Sequence, residues 1–322
     1  MSGLVVVFGG SGFLGRYAVR ALARDGWRVR VAMRRPHLVP ELRVMGDVGQ
    51  IELLQANIRY PASIASALAG ADTVVNLVGV LHEAGPQSFE ALQAKGAKAI
   101  AHAAAELGIT RLVQISAIGA DASSPSTYAR TKAAGEAAVR AAVPTATVLR
   151  PSIVFAEEDQ FFNRFAGMAA TSPVLPLIGG GATRFQPVYA GDVGAAIAKA
   201  LADPATQGRT FELGGPGVYT FKALMDLILK ETGLKRMLLP VPFEIAGLIG
   251  AVGELATLVG IAPPLTRDQV TLLKADNVVA SGAEGLAALG IAPTSVESIV
   301  PTYLWKYRAG GQFAGVHAAE AL

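Results

Sequence analysis

Tyr128-Ala129-Arg130-Thr131-Lys132 sets a phenol and an ammonium four residues apart, which on a helix puts both on one face. A neighbouring ammonium favours phenolate and draws a tyrosine down from its ordinary pKa of ~10 toward a value useful for proton transfer. Ser116 lies a short way upstream and could donate a hydrogen bond to an oxygen that gains charge. The trio would protonate or deprotonate a substrate oxygen. A Y-x-x-x-K spacing means little by itself, and the serine is open: Ser116, Ser123, Ser124, Ser126 and Thr127 crowd this stretch, and Ala117 or Ile118 can stand where the hydroxyl is needed. The surrounding elements have to supply the context.

They begin at the amino end. Leu4-Val5-Val6-Val7-Phe8 reads as a buried parallel strand, followed by Gly9-Gly10-Ser11-Gly12-Phe13-Leu14-Gly15-Arg16. Gly10, Gly12 and Gly15 fit G-x-G-x-x-G, and Gly9, Gly12 and Gly15 fit G-x-x-G-x-x-G. Both spacings let a backbone turn sharply and approach a pyrophosphate, with the next helix presenting its first amides to the anion. Tyr17, Ala18, Ala21 and Leu22 recur at helical spacing, and a second strand over Arg28 to Met33 completes a βαβ unit. Gly9, Gly10, Ser11, Gly12, Phe13 and Leu14 are therefore the expected phosphate cradle.

After the second strand a chain that prefers NAD carries an acidic residue for the adenosine ribose. Here Arg34 and Arg35 stand in that place. Two guanidiniums match a 2′-phosphate, so the expected cofactor is NADPH or NADP; the alternative is a solvated basic loop from Arg28 to Arg43. Asn57, after the third strand, is placed for an adenine edge, and Gly79 closes the fourth strand beside the cofactor. Both positions also suit ordinary turns. Lys132 would hold the nicotinamide ribose, and Pro151 ends the sixth strand in the same cofactor set.

The fold class follows: α/β, a Rossmann doubly wound parallel sheet with a smaller C-terminal lobe. Strands are expected at 4–8, 28–33, 51–55, 73–77, 111–116 and 146–150, with helices including 88–107 and 126–142. The dinucleotide domain spans 1–150, with 187–214 returning to it, and 151–186 with 215–322 form the smaller substrate or docking lobe. Phe161, Phe162 and Phe165 suggest one apolar helix face, more in keeping with core than with a binding box. The window 237–262 is the most apolar in the chain. Pro240, Pro242, Glu244 and Glu254 interrupt it, and the run Ile245 to Gly253 falls far below the ~20 residues of a spanning helix. It reads as a buried helix or as one lying on a partner or a membrane surface.

With 322 residues, 52% of them hydrophobic, and a mean hydropathy of +0.42, the chain can bury a large core or expose a docking surface. It has no cysteine, which excludes disulfides and thiolate chemistry, and four histidines too scattered to suggest a metal site. A net charge of +3 with no basic aromatic stripe does not argue for nucleic acid. The first strand begins at Leu4, leaving no room for a leader, so a bacterial cytoplasmic location is expected, with peripheral contact to the inner face of the plasma membrane through 237–262.

With these residues in view, the chain resembles the atypical and extended short-chain dehydrogenases/reductases, and more narrowly the alpha-subcomplex subunit nine family of respiratory complex I. The matching phrases are Gly9 to Arg16, Ser116 to Asp121, Tyr128 to Lys132 with Gly135-Glu136, and Leu149 to Ser152. Phe185 to Tyr189 through Asp192-Val193, Leu213 to Pro216, Leu265 to Val270, Asp276 to Val278, and Tyr303-Leu304 continue them. The Phe185 and Leu265 phrases are the narrow ones. The resemblance implies a tightly held NADPH that stabilises the subunit, and a second lobe docked on complex I near its membrane arm. Bacterial relatives equally imply a free NADPH-dependent oxidoreductase, epimerase or dehydratase using Tyr128 and Lys132 on a small carbonyl or sugar-nucleotide substrate.

Overall fold

The computed structural model describes residues 3–256 and 265–313. They fall into two compact units, the first built from 3–151, 190–213 and 279–292 and the second from 152–189, 214–256, 265–278 and 293–313.

The first unit is a parallel sheet: β1 (Leu4–Phe8), β2 (Arg28–Met33), β3 (Ile51–Gln55), β4 (Thr73–Asn76), β5 (Leu112–Ile115), β6 (Thr147–Pro151) and a seventh strand, Thr210–Leu213. Their order is β3-β2-β1-β4-β5-β6 followed by the seventh, every pairing parallel. Val5, Val6, Val7, Val74 and Val75 are wholly buried because both faces are covered, which is why these strands read as unbroken apolar runs. The flanking helices are α1 (Phe13–Arg24), α2 (Pro61–Leu68), α3 (Gly96–Glu106) and α4 (Thr127–Ala142), with Ala190–Ala202 packed on α1. The order reverses between β1 and β4, so their carboxyl ends open the crevice where such sheets bind ligands.

Two features depart from expectation. The helix expected at 88–107 opens with a π-helical turn, Glu90–Lys95, before α3 starts at Gly96. Residues 279–292, expected in the smaller lobe, belong to the first unit: Arg209 pairs with Glu284, and the Glu212 amide donates to the Glu284 carbonyl at 2.8 Å.

In the second unit, strand Val174–Ile178 pairs in parallel with Met237–Val241, and helices Phe162–Thr171 and Phe221–Thr232 cover an aromatic core. Phe161, Phe162 and Phe165 belong to that core, edge to face with one another and with Phe221. The apolar window becomes the strand Met237–Val241 and the helix Phe243–Ala256; its last residues, 257–262, lie outside the described ones. That helix is not a buried one. It covers Ala246 but leaves Leu248 and Val252 each 69% exposed, with Ile245 and Ile249 about half exposed. Among the described residues no helix is long and apolar enough to cross a membrane.

Candidate functional site

The expected site residues of the first unit follow its strands at their carboxyl ends. Between β1 and α1, Gly9 holds φ +82°, a conformation that costs glycine little, and the Gly12 amide donates to the Gly9 carbonyl at 3.1 Å to close the turn. A Cβ on Gly15 would sit 2.4 Å from that same carbonyl oxygen, so α1 can approach the turn only because residue 15 has no side chain. Gly12 caps α1 without a side-chain hydrogen bond, and no acidic residue lies in the first turn. By contrast, Ser126 caps α4 by accepting from the Ala129 amide at 3.2 Å. An uncapped helix start with bare backbone around it fits the pyrophosphate of a dinucleotide.

Arg34 and Arg35 follow β2 directly, exposed and without a side-chain partner among the described residues. The loop behind them is anchored: Leu42 is fully buried, and Glu41 pairs with Arg16 of α1 at 2.8 Å. Asn57 spends its Oδ1 on the Arg59 amide at 3.1 Å, a turn bond, which leaves its Nδ2 for an adenine edge.

On the other side of the crevice, Tyr128 and Lys132 share a face of α4, with the Lys132 ammonium 5.8 Å from the Tyr128 ring centre. Phe89 meets Tyr128 edge to face at 5.6 Å. Lys132 is 7% exposed, its Nζ donates one long bond of 3.4 Å to the Ile115 carbonyl, and a Cβ on Gly79 would lie 3.2 Å from it. Burial pushes its pKa down to about 8, with the Glu136 charge opposing the shift. Glu136 is itself held by Arg150, whose Nε and Nη2 donate to the two carboxylate oxygens at 2.9 and 2.7 Å. Pro151 ends β6, its carbonyl accepting from the Ile118 amide at 3.1 Å.

The five candidate hydroxyls separate by their bonding. Ser123 bonds the Asp121 carboxylate, Ser124 accepts from the Ser126 amide, Ser126 caps α4 and Thr127 accepts from Arg130. Ser116, just past β5, has a buried Oγ with no partner among the described residues. The Trp27 indole N–H is also buried and unpartnered, but it precedes β2, at the opposite end of the strands from Ser116.

One residue escaped the sequence reading. Gln93, 2% exposed within the π-helical turn, donates from Nε2 to the Val80 carbonyl at 2.9 Å, and its Oε1 accepts from the Thr131 hydroxyl at 3.0 Å. It ties the loop that carries Gly79 to the helix that carries Tyr128 and Lys132. A buried glutamine among alanines on a helix gives no sequence signal, although a π-turn is a recurrent companion of functional sites.

The chain belongs to the NAD dependent epimerase/dehydratase family, which matches residues 5–214. Over its whole length it is 38% identical to NADH dehydrogenase [ubiquinone] 1 alpha subcomplex subunit 9, mitochondrial, of Arabidopsis thaliana, covering 82% of that protein. It is also 36% identical to the ceramide reductase of Caulobacter vibrioides, over 55% of this chain and 54% of that one. The fold is shared with the NADPH-dependent quinone oxidoreductase of Escherichia coli solved with NADPH, at a TM-score of 0.74 and 21% identity over 94% and 99% of the two chains. These findings correct the expected bacterial cytoplasmic and plasma-membrane location: the relative that matches from end to end is a mitochondrial protein, and so is its mouse counterpart.

Proposed function

We propose that this protein is an NADPH-binding accessory subunit of respiratory complex I, in which the dinucleotide is held tightly to stabilise the subunit. The observation that carries the reading is an intact dinucleotide cradle in a chain matched along its entire length by a complex I subunit. Gly9 to Leu14 and the uncapped start of α1 would take the pyrophosphate, Arg34 and Arg35 the 2′-phosphate, Asn57 the adenine edge, and Gly79, Lys132 and Pro151 the nicotinamide half. The exposed Ile245, Leu248, Ile249 and Val252 provide an apolar face for docking on the complex.

Native mass spectrometry of the gently purified protein tests both halves together. Retained NADPH with co-purifying complex I subunits is expected; recovery as a free monomer that exchanges its nucleotide readily would overturn the reading. Changing Arg34 and Arg35 to Ala should weaken NADPH far more than NADH, each charged contact being worth roughly 1.5–3 kcal/mol.

A second reading, a free carbonyl reductase, is favoured by the condition of Ser116, Tyr128 and Lys132. The Tyr128 Oη would hand a proton to a substrate oxygen, the Lys132 ammonium would stabilise the phenolate, and the unpartnered Ser116 hydroxyl would donate to the same oxygen. A bound nicotinamide supplies the hydride in such chemistry. Carbonyl-dependent NADPH oxidation that Tyr128→Phe abolishes, with cofactor affinity unchanged, would favour this reading over the first.

A further inference from the structure

Glu136 stands one turn beyond Lys132 on the same face of α4, and the two are 5% and 7% exposed. A buried carboxylate and a buried ammonium so placed would ordinarily pair, yet no ion pair joins them among the described residues. Both Glu136 oxygens are taken instead by Arg150 of β6, whose Nε and Nη2 donate at 2.9 and 2.7 Å. The remaining nitrogen, Nη1, faces Glu212 of the seventh strand at 3.6 Å, and Glu212 Oε2 accepts from the Ala280 amide at 2.9 Å. Lys132, Glu136, Arg150 and Glu212 thus form a row of alternating charge from α4 across two strands, all inside the first unit.

The other groups around the ammonium are neutral: the Tyr128 phenol, Gly79 and the Ile115 carbonyl. The loop after β4 brings half-buried His82 and exposed Glu83, which accepts from the Phe89 amide; the π-helical turn brings Glu90 and Lys95, exposed and paired with each other. On α3, which packs against α4, Lys98, His102 and Glu106 are exposed, as are Arg130 and Arg140 of α4 itself. Glu136 is therefore the counter-charge that works against the burial of Lys132. A carboxylate free to turn would close on the ammonium and consume its donors, whereas a planar guanidinium gripping both oxygens fixes it in place. Of the three Lys132 donors only one is engaged, in the long bond to Ile115.

We propose that Glu136 is a positioning residue that keeps the Lys132 ammonium charged, and that Arg150 holds its carboxylate off the ammonium so that the free donors serve the nicotinamide ribose. The inference rests on Lys132 standing beside the proposed cofactor.

The test follows the side-chain signals of isotope-labelled lysine by nuclear magnetic resonance in the full-length, nucleotide-free protein, from pH 7 to above the ordinary lysine value of 10.5, with Lys132→Met identifying the signal. Wild-type Lys132 should titrate at about 8. Glu136→Gln removes the charge and keeps the shape, and should lower that midpoint by about one pH unit. Arg150→Met lets Glu136 close on the ammonium, so the midpoint should rise while NADPH affinity falls at least about fivefold; Arg150→Lys, able to hold one oxygen, should lie between. Loosened packing alone would expose Lys132 and raise the midpoint in every variant, so the opposite signs separate this role from a merely structural one. Glu212→Gln acts on the pair through Arg150 and should lower the midpoint by less than Glu136→Gln; it decides the sign if Glu136→Gln does not fold. A midpoint that rises or stays in the glutamine variants, or an Arg150→Met that binds NADPH as wild type does, overturns the proposal. Unchanged NADPH affinity in Lys132→Met would instead overturn the place given to Lys132 beside the cofactor, and the midpoints would still decide the role of Glu136.

Discussion

Lys132 in the first unit and Asp159 in the second are both buried ionisable residues, and they are treated in opposite ways. Asp159, 2% exposed, accepts from the Tyr303 hydroxyl at 2.5 Å, the Phe162 amide at 2.7 Å and the Asn163 amide at 3.3 Å. Lys132 has one long bond to a carbonyl, next to a serine hydroxyl that has none. Burial raises the Asp159 pKa and its hydrogen-bond donors, the Tyr303 hydroxyl first, pull it back, whereas for Lys132 only the Glu136 charge opposes burial. A buried polar group with its bonds complete is architecture; one left incomplete at the carboxyl edge of a parallel sheet is what the proposed cofactor and substrate contacts would complete.

The largest expected effect lies on the complete side. Asp159→Ala leaves a buried phenol and two helix-start amides without acceptors, each worth about 1–3 kcal/mol, and should cost about 3 kcal/mol in denaturant unfolding. Asp159→Asn keeps an acceptor for the amides and should lose less than half as much. An alanine variant within about 1 kcal/mol of wild type would mean that the second unit does not depend on this lock.

On the incomplete side the sign reverses. An unfolded lysine titrates at the ordinary 10.5 and folded Lys132 at about 8, so between those values the unfolded chain binds more protons and stability climbs with pH. Below about 8 both states are protonated and the burial penalty is complete. Lys132→Met should therefore stabilise the nucleotide-free protein by up to about 3 kcal/mol at pH 7, with the gap to wild type closing as pH rises toward 10.5. Its NADPH affinity should fall. Urea titrations across pH 7–10.5 read both parts, and a variant less stable than wild type at pH 7 would show that the ammonium carries no such burden.

The two sides were also unequally legible in the sequence. Gly9 to Gly15 and the pair Tyr128 and Lys132 are local patterns, because a tight turn and one face of a helix are fixed by covalent geometry over a few residues. Asp159 and Tyr303 are 144 residues apart, and no local pattern announces their bond. The π-helical turn at 90–95 has a related reason: its sequence suits an α-helix equally well, and the Gln93 bonds to Val80 and Thr131 that accompany the irregularity reach 13 and 38 residues away. The apolar helix could be read either as buried or as lying on another surface, because hydrophobicity states a need for cover without saying what supplies it; its exposed Leu248 and Val252 exclude the first. Ser116 could not be chosen from five hydroxyls by position, and it stands apart once the bonds of the other four are seen.

Gln93 sharpens the comparison from inside the first unit, since it is a satisfied group beside unsatisfied ones. Gln93→Leu frees the Val80 carbonyl and the Thr131 hydroxyl, although Thr131 can turn to the Thr127 carbonyl at 2.9 Å. A loss of about 1–2 kcal/mol is expected, with a weaker grip on NADPH because the loop carrying Gly79 loosens from α4. Glutamate at the same position keeps the acceptor for Thr131 but loses the donor to Val80 and buries a carboxylate against that carbonyl, so it should cost more than leucine does. Hydrogen exchange at residues 77–81 measures the loop tether directly; unchanged protection in both variants would place the tether elsewhere.

The smallest effect is the most discriminating. Replacing a buried, hydrogen-bonded serine by alanine ordinarily costs about 1 kcal/mol or more, because a partner is left unpaired. Ser116 has no partner to strand, so Ser116→Ala should leave the nucleotide-free protein as stable as wild type or up to about 1 kcal/mol more stable, as the desolvation of an idle hydroxyl is removed. Ser126→Ala is the matched control: it takes the cap from the Ala129 amide and should cost about 1 kcal/mol. If the two serines cost the same, the Ser116 hydroxyl has a structural partner after all, and its claim to be a donor waiting for a substrate oxygen fails. If Ser116→Ala is free of cost and also lowers carbonyl-dependent NADPH oxidation, the incomplete corner is catalytic; if no such oxidation exists in wild type, the corner serves a cofactor that is held and not turned over.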